Sequence, residues 1–346
     1  MRRVIAPALF WAVTSSLLMA FTPVLPTANQ WLWRGQPAKF YMYTDRDFEG
    51  EKTTPWQGGG YGFTRGPVRL GGEVVLTKFH EGIDIQPLRR DRQGEPLDDV
   101  VAIEAGRIVH VSQAAGDSNY GRYIVVEHDV EGTPVYSLYA HLAAIDATVG
   151  QIVARGARLG RLGHTGDGIN QRRAHLHLEI AVMWHDQFET WHAANFPTPN
   201  KHGAYNGINL MGLDVAEFYL AQRKDPSLAL PEFVRRQPVA FRLQTPASPH
   251  FQLPIRYPWM VEGAAQAARS WAVSFTSAGF PVKIEPAREA ISAPRVVWAQ
   301  PSPISYDQAT RSLLGGPPGQ PQLGPSGQQL VELLTWDPAS APHPDG

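Results

Sequence analysis

Three separated segments of this chain carry groups that can bind a metal ion and move protons. They are His80-Glu81-Gly82-Ile83-Asp84, Tyr139-Ala140-His141 and His175-Leu176-His177. A catalytic zinc takes three protein ligands from His, Asp or Glu and keeps one position open for water. Four histidines and the Asp84 carboxylate can fill those three positions and still leave bases beside the metal. The chain has no cysteine. That excludes a disulfide, a thiol nucleophile, Cys-ligated zinc and a lipid-modified cysteine.

Each segment has a plainer reading when taken alone. His175 to Ile180 alternates polar and apolar residues. On a strand, His175, His177 and Glu179 share one face, with same-face Cα atoms roughly 6.5–7 Å apart. The plain alternative is the exposed polar face of a half-buried strand. Glu179 is expected as a solvated carboxylate, the other option being a group that steers a ligand imidazole. His80 and Asp84 would lie roughly 13 Å apart on a straight strand. A bend at Glu81-Gly82 must therefore turn the chain if both bind one ion, and Gly82 is the residue that allows it. His141 ends the strand-like run Val135 to Tyr139, and alone it reads as a partly buried histidine satisfied by hydrogen bonds.

The elements that must position these groups are short and β-rich. Val74 to Leu76, Ile83 to Ile85, Val100 to Ile103, Arg107 to Val111 and Tyr123 to Val126 are strand candidates. Val135 to His141, Gln151 to Val153 and His175 to Val182 continue the series. Charged residues are 18%, and Gly (32) and Pro (30) are plentiful. Short turn-marked intervals without helical period predict a mainly β fold: a compact antiparallel β-sandwich or barrel with a small α+β C-terminal appendage. Leu88 to Asp99 is expected as a solvated loop, and Asn195 to Gly212 as a Gly- and Asn-rich one. Asp214 to Arg223 reads as a helix capped by Asp214. Val261 to Ser277 has apolar residues at helical spacing. Val282 to Ile284 and Val296 to Trp298 look like strands, and Tyr306 to Leu314 and Gln328 to Trp336 like helices. Gly315 to Gly327 reads as a linker of low order.

Net charge is −1 and the sequence pI about 6.9, so no basic field points to nucleic acid. Met1-Arg2-Arg3 followed by the mostly apolar Val4 to Phe21 reads as a secretory signal, with Ala20 or Ala28 as cleavage residues. The rival is an uncleaved N-terminal anchor, which would be the chain's only membrane contact.

Taken together, HEGID, YAHL and HLHLE in this order resemble the lysostaphin- or LytM-type zinc endopeptidases of peptidoglycan. Tyr61-Gly62-Phe63 with Arg65, Ala105 to Val109, Asn119-Tyr120-Gly121 and Gly150 to Gly166 add to the resemblance, which covers about residues 60 to 185. It implies a compact antiparallel β fold. It also implies one Zn²⁺ per chain on His80, Asp84 and His177, with His141 and His175 as catalytic histidines. Which of these two is the base is open. Two stretches depart from the family: the long charged Leu88 to Asp99 loop, and Asp167 to Arg173 before the HxH pair. Both could border the cleft. Among the remaining histidines, His128 and His164 are expected nearest the site.

The resulting division is 1–28 signal peptide or anchor, 29–60 extension, 61–224 zinc peptidase domain, 225–252 Pro-spaced connector, 253–314 appendage, and 315–346 linker, short helix and tail. The function expected is an exported endopeptidase of the periplasm or cell envelope, acting on peptidoglycan peptide stems. The alternative is a non-catalytic cell-wall factor of the same fold that regulates another hydrolase. A biotinyl- or lipoyl-carrier reading of the hairpins fails because neither candidate turn carries a lysine.

Overall fold

The computed structural model describes residues 20–340. Most of the segment read as an export signal therefore lies outside the described residues. No helix among the described residues is long and apolar enough to cross a membrane.

The main sheet is antiparallel. Its order is Ile152–Val153, Gly106–Ser112, Tyr123–Val130, Thr133–Ala140, Leu176–Met183 and Leu210–Gly212, and Ile83–Ile85 also pairs with Leu176–Met183. A three-stranded sheet of Leu142–Ile145, Arg158–Leu162 and Asp99–Val101 packs with it around the core. The fold is mainly β, as the sequence indicated, and no barrel closes among the described residues. The Tyr123–Val130 and Thr133–Ala140 strands are joined by Glu131-Gly132, both at positive φ (53° and 79°). A two-residue hairpin needs that backbone to match strand twist, and glycine supplies half of it without steric cost.

Leu176, Leu178 and Ile180 face the principal core. The opposite face of the sheet is not open to solvent. Tyr123, Val125, Tyr136, Leu138, Ala181, Met183 and Leu210 form a second apolar cluster there. Polar/apolar alternation along His175 to Ile180 thus separates two buried environments rather than core from water.

The C-terminal region is a four-stranded antiparallel sheet in the order Pro281–Ala287, Ser270–Phe275, Phe241–Pro246, Arg295–Ala299. Its details differ from the sequence reading in four places. Val261 to Ser277 forms not a helix but the strand Ser270–Phe275, where Trp271, Val273 and Phe275 recur with a period of two and favour the pleated surface. The Pro-spaced connector contains the helix Leu230–Arg235 and an inner strand, Phe241–Pro246. The helix at Tyr306 stops at Ala309 because Arg311 and Ser312 turn left-handed (φ 58° and 60°). The Gly/Pro linker is ordered: Leu314–Gly315 pairs with Gln322–Leu323. A Cβ on Gly327 would meet the Leu313 carbonyl at 2.0 Å, so this glycine serves close packing. The Asp214 cap forms as expected, its carboxylate accepting from Glu217 N–H at 2.9 Å ahead of the helix Val215–Lys224.

One continuous apolar core runs from Phe21 and Leu25 through both sheets to Leu333 and Trp336. The Val24 N–H donates to the Ile103 carbonyl and the Val101 N–H to the Pro26 carbonyl, each at 2.8 Å. Residues 21–26 are therefore built into the fold.

Candidate metal and catalytic site

The strand Leu176–Met183 organises the site. In its register His177 lies opposite Asp84 on one side and Ala140 on the other. His141 follows Ala140 directly, and His175 is bridged to Gly163 just before the strand begins. His80 ends the strand Glu73–His80, and the bend at Glu81-Gly82 brings it back over Asp84. Gly82 is required there for a different reason than expected. Its φ is not left-handed, but a Cβ would meet the Leu178 carbonyl at 2.5 Å and the His177 ring at 3.0 Å. Close backbone approach, not turn geometry, selects glycine.

His80, Asp84 and His177 offer three ligand atoms within 4.8 Å of one another, all on buried residues. His80 Nε2 is 3.1 Å from His177 Nδ1, and both lie within 3.1 Å of Asp84 Oδ1. The surroundings fix which nitrogen of each ring is free. His80 Nδ1–H donates to the Gly60 carbonyl at 2.8 Å, leaving Nε2 with its lone pair. His177 Nε2–H donates to Glu179 at 2.9 Å, leaving Nδ1. Arg65 donates to Asp84 Oδ2 at 2.8 Å and leaves Oδ1 toward the two imidazoles. Three electron-pair donors converge on one point with their other atoms already satisfied, so the residues present fit a divalent cation with N and O ligands.

His141 and His175 stand beside this group. Their ring centroids are 4.6 Å apart, and His141 is 5.8 Å from His177. His141 Nδ1–H donates to the Thr165 carbonyl at 2.9 Å and His175 Nδ1–H to the Arg173 carbonyl at 2.6 Å. Each therefore keeps Nε2 as its free nitrogen. His175 Nε2 is 3.4 Å from Asp84 Oδ1. His141 has φ 63°. A left-handed non-glycine residue costs of order 1–3 kcal/mol and persists only where the surroundings enforce it, commonly at functional positions.

Burial and charge set the protonation states. Burial alone would raise the Asp84 carboxyl, but His80 and His175 outweigh it and hold it well below the usual range. Burial, then neighbouring His175 and His177, push His141 well below an ordinary histidine. The neutral His141 imidazole is a proton acceptor at neutral pH. Burial would lower His177, yet hydrogen bonds to Asp84 and Glu179 raise it to about 10, so without a cation the Nδ1 proton sits against Asp84, and a metal ion would take its place.

Glu179 is not the solvated carboxylate expected from sequence. It is fully buried, bonded to His177 and, at 2.7 Å, to the Tyr120 hydroxyl. The reason is the covered second face of the sheet. His128 and His164 are not in the site. His128 bonds the Ala105 carbonyl and Ser137, and His164 pairs with Glu95. The Leu88 to Asp99 loop is tied to the 167–173 segment, with Arg90 donating to the Gln171 and Arg172 carbonyls. The carbonyl acceptors of Gly60, Thr165 and Arg173 carry no side-chain signal and are legible only once the chain is folded.

Such a group, a buried His-Asp-His ligand set with two unligated histidines on an antiparallel sheet, defines a metallohydrolase-type site. Residues 78–188 match the family model described as peptidase family M23, so the chain carries an M23 peptidase domain. Among solved structures it is similar to the catalytic domain of lysostaphin from Staphylococcus simulans (24% identity, 44% of this chain and 85% of that one, TM-score 0.26). It is also similar to a zinc-containing peptidase from Vibrio cholerae (24% identity, 41% of this chain, TM-score 0.25), of which it spans 36%. A putative glycyl-glycine endopeptidase LytM from Ruminococcus gnavus shares 26% identity over 30% of this chain and 39% of that one, with TM-score 0.24. No curated protein matches the chain.

Proposed function

We propose that this protein is an exported zinc metalloendopeptidase that hydrolyses peptide cross-bridges of peptidoglycan. The observation that carries the reading is the convergence of His80 Nε2, Asp84 Oδ1 and His177 Nδ1 beside two histidines with free Nε2 atoms. When bound, zinc polarises a scissile carbonyl and lowers the pKa of water to roughly 7. The chain's own residues supply the rest. His141, neutral and anchored through Nδ1, takes up a proton on Nε2. His175, anchored through Nδ1 to the Arg173 carbonyl beside it, presents Nε2 for a hydrogen bond to a developing oxyanion or to the leaving amine. This division between the two histidines is supported by the burial that keeps His141 neutral. Peptidoglycan stems as substrate and an address in the cell envelope rest on the resemblance of the motifs and on the signal-like N-terminus.

The test combines metal analysis with digestion of isolated sacculi, with and without chelator. About one zinc per chain and chelator-sensitive release of uncrosslinked peptides is the expected result. Zinc-loaded protein that leaves sacculi intact would overturn the endopeptidase reading and favour a regulatory cell-wall factor.

A further inference from the structure

Arginines from two segments gather along one edge of the metal group. Arg65 reaches the group directly, with one guanidinium nitrogen 2.8 Å from Asp84 Oδ2 and Nε donating to the Gly58 carbonyl at 3.1 Å. Arg46 lies against the same backbone. It donates to the Thr64 carbonyl at 2.8 Å, and a Cβ placed on Gly58 would stand 3.8 Å from its outer nitrogen. Arg173 belongs to the segment that leads into the site strand, and its carbonyl holds His175 Nδ1 at 2.6 Å. Arg172 donates to the Tyr43 hydroxyl at 2.6 Å, which brings the 170–173 and 43–46 segments together. A small cavity of about 190 Å³ lies between them, lined by Arg172 and Arg173 on one side and Tyr43, Thr44 and Asp45 on the other. That is several times the roughly 30 Å³ of a water molecule, which suits a carboxylate group rather than a whole peptide.

The charges at this edge do not cancel. Arg65 pairs with Asp84 and Arg172 with Asp45. Among the described residues no carboxylate lies within ion-pair distance of Arg46 or Arg173. The Arg172–Asp45 pair is largely exposed, and such pairs hold weakly. Arg46 feels cations instead: its pKa is lowered first by burial, then by Arg65 and Arg173. Like charges held together cost free energy that a bound anion relieves. Arg173 adds an unmet donor, since its Nε–H is buried and has no acceptor. A buried donor left unpaired is costly, and a ligand oxygen recovers that cost. The guanidinium fork suits a carboxylate, which it can hold through two parallel hydrogen bonds. An anion held here sits beside the metal group, where a peptide crossing the site would carry it.

We propose that Arg46 and Arg173 form a carboxylate-binding subsite at this edge, so that the peptidase site prefers an acidic peptide on the side of Arg65. The subsite is built where the chain parts from the family: the 167–173 segment, and residues 43–46 ahead of the matched span. The proposal rests on the peptidase reading for the identity of the peptide. Its test is binding, read by calorimetric titration of the full zinc-loaded chain with the stem peptide L-Ala-γ-D-Glu-meso-diaminopimelate and with its fully amidated counterpart. The acidic peptide is expected to bind at least about tenfold more tightly. Arg46→Gln combined with Arg173→Gln is expected to erase that preference at unchanged zinc content, and each change alone to remove part of it. Arg46→Lys with Arg173→Lys is expected to keep part, because the charge survives while the fork is lost. A preference that persists in the double Gln variant would assign the carboxylate to the metal itself and overturn the proposal. Equal binding of both peptides by the native chain, or binding of neither, would do the same. Inorganic phosphate that matches the acidic peptide in affinity would make this a general anion site and overturn the substrate role. Should the double variant lose its zinc, the single variants decide. A protein that shows the preference but leaves sacculi intact would sink the endopeptidase reading alone. One that cuts sacculi without the preference would sink only the subsite.

Discussion

Every imidazole in the site is anchored through one nitrogen to a backbone carbonyl or to Glu179, and the other nitrogen faces the group around Asp84 or its edge. His177→Ala removes a ligand and is expected to leave less than one zinc per chain by elemental analysis. His141→Ala should keep the zinc and lose about 10²–10⁴ in turnover. Normal turnover by His141→Ala would reverse the assignment. Glu179 acts through His177: its carboxylate fixes the ring so that Nδ1 points at Asp84. Glu179→Gln should therefore weaken zinc affinity about 10- to 100-fold, measured by chelator competition. Tyr120→Phe, which removes only the support of Glu179, should weaken it less. An unchanged affinity in Glu179→Gln would reduce that carboxylate to a packing role. The residues that gather here were legible from type and order, and their division into ligands and bases only from the family resemblance, whereas the burial of Glu179 was not legible. Alternation along a strand separates its two faces but does not say whether the second face is wet.

At the scale of elements, the site depends on how closely three pieces of backbone approach. The bend at Glu81-Gly82 lies against Leu178 and His177 with no room for a methyl group. Gly82→Ala should cost about 1–3 kcal/mol in urea unfolding, as overpacking does, and weaken zinc binding because the bend carries His80. A variant with native stability and native zinc affinity would show that the bend can relax. The sequence disclosed this bend because His80 and Asp84 could not otherwise meet. It disclosed the strands of the peptidase domain because their β-branched runs are bounded by turn residues. It was less informative beyond Pro254. There Trp271, Val273 and Phe275 fit a period of two, but the neighbouring apolar residues fit a helical period equally well, and only pairing with Phe241–Pro246 decides between them. The left-handed pair Arg311-Ser312 has no signal in residue type, since neither is glycine or asparagine.

Over the whole molecule, the continuous core ties both ends of the described chain to the sheet that carries the site. His128 is part of that tie. Its Nδ1–H donates to the Ala105 carbonyl, its Nε2 meets Ser137 Oγ, and the Phe21 ring packs edge-on at 5.4 Å. Burial pushes its pKa down from 6.5 to about 4. The sign follows from linkage: between pH 6.5 and 4 the unfolded chain takes up a proton that the folded chain refuses, so stability falls as pH falls through that window. The loss is roughly 3 kcal/mol for this one group. His128→Gln can keep both hydrogen bonds and should flatten the pH dependence of the urea midpoint between pH 6.5 and 4 relative to the native chain. A parallel dependence in both proteins would locate the acid sensitivity elsewhere. Phe21 and Leu25 bear on where the chain can be processed. Each is nearly fully buried, and burying such a side chain contributes about 1.5–3 kcal/mol. The backbone between them also pairs with Ile103 and Val101. A chain beginning at Phe21 should therefore unfold at a clearly higher urea concentration than one beginning at Asn29, by several kcal/mol, with Phe21→Ala alone costing about 3–5 kcal/mol. Of the two alanines that could precede a cleavage, Ala20 leaves this packing whole and Ala28 removes it. If the chain is exported and cleaved as proposed, N-terminal sequencing of the product is expected to begin at Phe21 or upstream, and an N-terminus at Asn29 would mean that the native core closes without this segment.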